Sequence, residues 1–206
     1  MEYTGTPLSD GGASIRLNDG ISDAVWNEYY KPLVYTKDTW QVIPMLLRPL
    51  SRGTIRLASA DPYAKPIIDP KYFSNVQDLN ILIEGTKIGL ALSKTKPFQE
   101  LNSTFYDKIF PGCESYTPWT DAYWGCFVRS YSKTIYHYSG TCKMGPSTDS
   151  AAVVDPELKV YGIQRLRVVD ASIMPYVISG NTNAPTVVLI IKPHNFYFNH
   201  KNHLPF

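Results

Sequence analysis

Hydrophobic and polar positions along this chain fall into stretches of helical period and shorter stretches of period two. The clearest helical stripe is Leu79, Leu82, Ile83, Thr86 and Leu90, which lie on one face of an α-helix running to about Lys94. Asn75 stands where it can cap this helix, with Asp78 three residues on in a capping-box-like arrangement. Gly85 and Gly89 weaken it by roughly 1 kcal/mol each relative to Ala, unless another part of the chain packs closely there. DAYWGCFVRSY at 121–131 predicts a second, shorter helix, and Pro185 opens PTVVLIIK as the start of a third. Residues 40–58 read as a strand, a Ser-Arg-Gly turn and a second strand. In the latter, Ile55 and Leu57 alternate with Thr54 and Arg56, the signature of a half-buried antiparallel strand. Thr134 to Tyr138 is β-branched and aromatic, hence strand-like, and residues 153–170 predict short strands separated by turns. The three prolines of DPYAKPIIDPKYF (61–73) imply an extended connector, and residues 1–20 read as loop.

Composition narrows the class. With 206 residues, 44% of them hydrophobic and 18% charged, the chain can bury a sizeable core. Lys+Arg 20 against Asp+Glu 18 leaves +2, and the basic residues are scattered, which argues against a nucleic-acid partner. The longest strongly apolar stretch, Thr186 to Ile191, is far short of the ~20 residues of a membrane span. Cys113, Cys126 and Cys142 include no C-x-x-C pair, so no zinc site is expected. Cys113 and Cys126 read as two buried thiols, with a single bridge as the alternative in an exported protein. His194, His200 and His203 sit in a polar, Asn-rich tail that offers no preorganised metal geometry, which leaves His137 as the only histidine in the body of the chain.

No two glycines are separated by a single residue, so the dinucleotide fingerprint G-x-G-x-x-G is absent. Gly140 and Gly145 have P-loop spacing, but Pro146 stands where Lys is needed. Two segments remain as carriers of chemistry, TIYHYSGTCKMGP (134–146) and RLRVVDASIMPYVISGNTNAPTVV (165–188). The second places Asn181 and Asn183 just before a helix N-terminus, a setting that suits an electron-rich ligand. From the residues alone, His137 reads equally as a structural histidine or as a catalytic base.

The run HYSGTCKMGP…AVVDPELKVYGIQRLRVVDASIMPYVISGNTNAPT resembles the C-terminal signature of the glucose–methanol–choline (GMC) flavoprotein oxidoreductases, most of all the insect glucose dehydrogenase-like members. Upstream, MLLRPLSRGTIRLASADPYAKPIIDPKYF and DLNILIEGTKIGLALSKT are similar to that family's substrate-domain strands and following helix, so the resemblance spans roughly residues 20 to 192. It implies an FAD-dependent enzyme that oxidises a CH–OH group of a small-molecule alcohol or sugar. Hydride then passes to flavin N5, and the electron acceptor (oxygen, quinone or dye) is left unassigned. By the same resemblance His137 removes or orients the hydroxyl proton and Asn181 is the second active-site position. Asp170, Ala171, Thr182, Asn183 and Pro185 fall where the family's loops close over the flavin; from the residues alone the structural reading is the stronger one, with Asp170 capping a turn and Pro185 starting a helix.

The implied fold is α/β in the mixed α+β sense. An antiparallel-sheet substrate domain is expected over 21–145, followed by the C-terminal return to a Rossmann-like FAD-binding domain over 146–192 and an atypical tail over 193–206. Because the glycine fingerprint is missing, the chain reads as a C-terminal fragment with the N-terminal FAD-binding part absent. The alternative is a truncated, non-catalytic paralogue or partial gene product that does not bind FAD alone. Trp119, Tyr123, Trp124, Tyr136 and Tyr138 are expected to fill core rather than line a pocket. Localisation is left open, with secretion expected if an upstream segment carries a signal peptide.

Overall fold

The computed structural model describes residues 25–36 and 38–191. The expected loop over 1–20, the tail over 193–206 and its His194, His200 and His203 lie outside the described residues. The chain divides into two compact units. The first takes the described residues up to Leu46, Leu50–Arg52 and Lys71–Lys133, and the second takes Leu47–Pro49, Gly53–Pro70 and everything from Thr134 onward.

The first unit is helical. A π-helical turn, Trp26–Tyr30, runs into α1, Lys31–Val34. α2, Val76–Ser93, is the helix expected from the leucine stripe. It is followed by α3, Lys96–Glu100, and α4, Asp121–Tyr131, the latter capped by the Thr120 hydroxyl, which accepts from the Tyr123 N–H. Leu79 and Ile83 of α2 meet Tyr123, Trp124 and Val128 of α4, and Trp26, Tyr29, Tyr30, Phe110 and Cys113 complete the core. The Tyr29 ring meets Tyr30, Tyr106 and Phe110 edge-on, each with centroids 5.1 Å apart, a favoured aromatic geometry. The buried Tyr123 hydroxyl accepts the Phe110 N–H at 3.1 Å, so this core leaves that polar group satisfied.

Asn75 caps α2 as expected, its side chain accepting from the Gln77 N–H at 2.9 Å. The capping box does not form. The Asn75 N–H donates to the Ser51 hydroxyl, while the Asp78 carboxylate accepts from the Leu50 N–H at 2.9 Å and the Ser51 N–H at 2.7 Å. Asp78 thus anchors an incoming segment rather than its own helix end. The two helix glycines are also explained by packing. A Cβ on Gly85 would lie 2.8 Å from Pro44 Cβ, and one on Gly89 would lie 3.1 Å from Val42 Cγ1. Val42 and Pro44 alternate inward from a segment that is extended but is not the strand expected there.

Burial acts to raise the Asp78 pKa, but the Leu50 and Ser51 donors together with Arg52 outweigh it and hold the carboxyl below its ordinary range. A depressed folded-state pKa gives stability that is fully present above the unfolded value near ~3.9 and is lost as pH falls through the folded one. Asp78→Asn should therefore cost about 1–2 kcal/mol at neutral pH, in urea unfolding. That deficit should shrink as the medium is acidified below about pH 4. An unchanged deficit at low pH would show that the charge is not what the two amides bind.

Cys113 and Cys126 form a disulfide across a separation of 13 residues, which corrects the reading of two buried thiols; Cys142 is free. The bridge joins the turn after Phe110 to the middle of α4, two places that only folding brings together. Tyr123 and Trp124 are core residues and Trp119 packs against them, as expected. Tyr136 and Tyr138 are exposed, which corrects the core reading for those two.

The second unit holds a two-stranded antiparallel sheet of β1, Thr54–Arg56, and β2, Ile67–Asp69, with Ile55 opposite Ile68. β2 lies inside the segment 61–73 expected to be an extended connector. Pro66 and Pro70 bracket it without removing a donor from its three residues. Ile55 and Leu57 are exposed, so the half-buried face expected of β1 is not formed. Among the described residues this hairpin is the whole of the regular sheet, less than the antiparallel sheet expected over 21–145. The remainder of the unit is loops joined by isolated bridges, Met144–Val154, Val154–Val160 and Lys159–Arg167, around a small core of Val154, Leu158 and Ile173. The chain is helical again over 183–191. No helix among the described residues is long and apolar enough to cross a membrane.

Candidate active site

The segment carrying His137 is not a strand. The Thr134 hydroxyl accepts the Tyr136 N–H at 3.0 Å, and Tyr136 lies in the left-handed region at φ 62. This local turn competes with strand pairing and re-aims the next residue. Downstream, Gly140 at φ 89 lets the chain pass close to Met174, whose carbonyl would stand 3.3 Å from a Cβ there. The Cys142 N–H then donates to the Ser172 carbonyl at 3.0 Å, and the Met144 N–H to the Ile173 carbonyl at 2.8 Å. These bonds stitch together the two segments singled out in the sequence.

Asp170 caps the 3-10 turn Ala171–Ile173, its carboxylate accepting the Ser172 N–H at 2.7 Å. The capping role alone accounts for an aspartate here. The chain then reaches Asn181 and Thr182 at the head of the helix over 183–191. The Thr182 carbonyl accepts the Thr186 N–H at 3.1 Å, as a helix-capping residue's does. A capping threonine usually turns its hydroxyl onto the second or third helical N–H, but Pro185 occupies the third position and has none. The hydroxyl is turned to His137.

The result is a three-residue constellation. His137 Nε2 lies 2.9 Å from Asn181 Oδ1, and His137 Nδ1 lies 2.9 Å from Thr182 Oγ1. Both ring nitrogens therefore have partners, with Thr182 buried, His137 half-buried and Asn181 exposed. Two proton arrangements satisfy this geometry. In one, Nε2–H donates to the Asn181 carbonyl oxygen while the Thr182 O–H donates to Nδ1. In the other, Nδ1–H donates to Thr182 and the Asn181 amide turns its N–H toward a bare Nε2 lone pair. Only the second leaves Nε2 able to take a proton.

The structure brings His137, Asn181 and Thr182 into direct contact. Asn183 is exposed and Pro185 half-buried in the first turn of the same helix, while Asp170 and Ala171 belong to the 3-10 turn. Sequence reasoning passed over Ser172, whose hydroxyl is buried without a hydrogen-bond partner among the described residues. Its one visible signal was its place beside Asp170 and Ala171. No cluster of three or more His, Cys, Asp or Glu side chains suited to a metal occurs among the described residues.

The family model of GMC oxidoreductase matches residues 49–189. The chain is 46% identical over 152 residues to glucose dehydrogenase (FAD, quinone) of Drosophila melanogaster, a match covering 74% of this chain and 24% of that protein. It is 46% identical over 143 residues to alcohol dehydrogenase (acceptor) of Pseudomonas putida, covering 69% and 24%. Among solved structures, pyridoxine 4-oxidase from Mesorbium loti superimposes with a TM-score of 0.64 at 29% identity, covering 75% of this chain and 28% of that one. The chain thus spans about a quarter of the length of the curated relatives it matches. On these matches, the chain belongs to the GMC oxidoreductase family.

Proposed function

We propose that this chain is the substrate- and proton-handling part of an FAD-dependent oxidoreductase acting on the CH–OH group of an alcohol or sugar. The observation that carries the reading is the contact of His137 with Asn181 on one ring nitrogen and Thr182 on the other. His137 acts through a bare Nε2, which accepts the hydroxyl proton of the substrate. Thr182 accepts the Nδ1–H and so holds the ring in the tautomer that leaves Nε2 free. Asn181 donates its amide N–H to the substrate oxygen as negative charge develops there. The 2.9 Å between Nε2 and Asn181 Oδ1 supports this reading: with the amide turned end for end, a proton acceptor and an N–H donor stand side by side for one oxygen atom.

The flavin fits the donor set on this side. Ser172 offers a buried hydroxyl with no partner among the described residues, beside Asp170 and Ala171. The first-turn N–H groups of Asn183 and Ala184 have no intrahelical acceptor and add the positive end of the helix dipole. These residues would hold FAD, and FAD when bound supplies the hydride acceptor.

A second reading is favoured by the absent glycine fingerprint and the quarter-length coverage: the chain alone does not retain FAD. Both readings meet in one experiment. The chain is tested alone, and also joined to the N-terminal portion of a glucose dehydrogenase-type relative. Anaerobic mixing with a panel of primary alcohols and aldoses should bleach the oxidised flavin of the joined protein, and failure to bleach with any of them would end the proposal. Stoichiometric flavin retained by the chain alone would remove the second reading. In the joined protein, Thr182→Val should lower kcat roughly tenfold, the value of one hydrogen bond, with little change in KM. A change in KM alone would assign Thr182 to substrate binding rather than to positioning the ring.

A further inference from the structure

We infer that Asn102 is an N-linked glycosylation site, modified by an oligosaccharide delivered from a lipid diphosphate donor in the secretory pathway. Asn102-Ser103-Thr104 is the one Asn-x-Ser/Thr triplet in the chain, and neither Ser103 nor the following Phe105 is proline. Such triplets arise by chance, so its placement carries the argument.

The triplet forms the turn that ends α3. The Asn102 N–H donates to the Gln99 carbonyl at 2.9 Å and the Ser103 N–H to the Phe98 carbonyl at 3.0 Å. Asn102 adopts φ 51, a left-handed conformation that Asn tolerates better than most residues. The middle residue is tied down: Trp40 stacks on Phe98 with centroids 4.2 Å apart and donates its indole N–H to the Ser103 hydroxyl at 2.8 Å. The two recognition residues are not. Asn102 and Thr104 are both exposed, and the Asn102 amide makes no hydrogen bond among the described residues. An oligosaccharide on Nδ2 therefore displaces no hydrogen bond of the fold, and the neighbouring Leu101 is 76% exposed.

The second, independent observation lies in the same unit. The Cys113–Cys126 disulfide belongs to an oxidising compartment, and the lumen where such bridges form is where this modification is made. The chemistry is a group transfer without redox. Asn102 Nδ2 forms a bond to C1 of the first sugar, the C1–O bond to the diphosphate breaks, the lipid diphosphate leaves, and the amide gives up one proton. The Thr104 hydroxyl is the group the transferase reads two residues downstream.

The test is mass spectrometry of the protein isolated from its natural source, on the tryptic peptide 95–108. The expected result is a hexose and N-acetylhexosamine chain on that peptide, with conversion of Asn102 to Asp after treatment with a glycoamidase. Asn102 found unmodified overturns the proposal, whatever the state of the cysteines. In secretory expression in cultured insect cells, Thr104→Ala should lose the oligosaccharide and Thr104→Ser should keep it. A Thr104→Ala protein that retains the oligosaccharide overturns the assignment to Asn102. Denatured chain reports this as well as folded chain does, so misfolding of a variant leaves the answer intact.

Discussion

Replacing His137 with Ala or Gln in the flavin-loaded enzyme should lower turnover by roughly 10²–10⁴-fold, the range that a well-placed general base contributes. Among His137, Asn181 and Thr182 only the imidazole is a base, since an amide and a hydroxyl do not take up a proton. Removing it leaves the amide of Asn181 to stabilise a developing charge, but no group to take the proton. The loss should fall on kcat and kcat/KM together, because the interaction is made as the proton leaves. His137→Gln separates shape from chemistry: it preserves a donor and an acceptor near Asn181 and Thr182, yet cannot accept a full proton. Turnover of the Gln variant close to that of the parent enzyme would show that His137 orients the substrate and does not act as base. The flavin content of both variants should match the parent, because the His137 side chain bonds to Asn181 and Thr182 and not to Ser172, Asn183 or Ala184, whose donors face the proposed cofactor.

Opening the Cys113–Cys126 bridge should cost about 3 kcal/mol of stability, the chain-entropy value for a loop of this length. The bridge spans 13 residues and closes over Trp119, which sits at φ 65 and packs against Tyr123, Trp124 and Phe105. A non-glycine residue in the left-handed region is unfavourable by roughly 1–2 kcal/mol, so this turn depends on its surroundings to hold it. Cys113 is fully buried, and replacing it with Ser adds a buried hydroxyl to the lost cross-link. The Cys113→Ala/Cys126→Ala pair is therefore the cleaner variant, with urea unfolding followed by tryptophan fluorescence as the measurement. Thiol reduction of the parent protein should reproduce the same loss. A midpoint that does not move in either case would show that the surrounding aromatic packing fixes the turn without the bridge.

Much of the local structure was legible before any fold was known. The α2 stripe, its Asn75 cap and the aromatic α4 were all read correctly, because helical period and capping are set by residues within a few positions of each other. The strands were read less well. Thr134 to Tyr138 has the composition of a strand, but pairing needs a neighbour, and the Thr134 hydroxyl offered the backbone a closer partner. β2 was hidden among prolines for the opposite reason: Gly53 and Asp69 come within contact distance only when the hairpin closes. Asp78 shows the same division in one side chain. Its place in the sequence suggested a helix cap, while its carboxylate is taken by amides at 50 and 51.

By itself the sequence determined the family, through long motifs that resemble it, and the helices that pack the first unit, through residue type at short spacing. The resemblance, not spacing, singled out His137 and Asn181 as candidates. Only the tertiary structure decided that His137 and Asn181, 44 residues apart, touch; that the Thr182 hydroxyl turns to the ring while its carbonyl caps the helix; and that Cys113 and Cys126 are bridged. Those outcomes depend on where loops end in space, which is fixed by long-range backbone bonds such as Cys142 to Ser172. No periodicity encodes such a bond, because its two ends share no local constraint until the chain between them has folded.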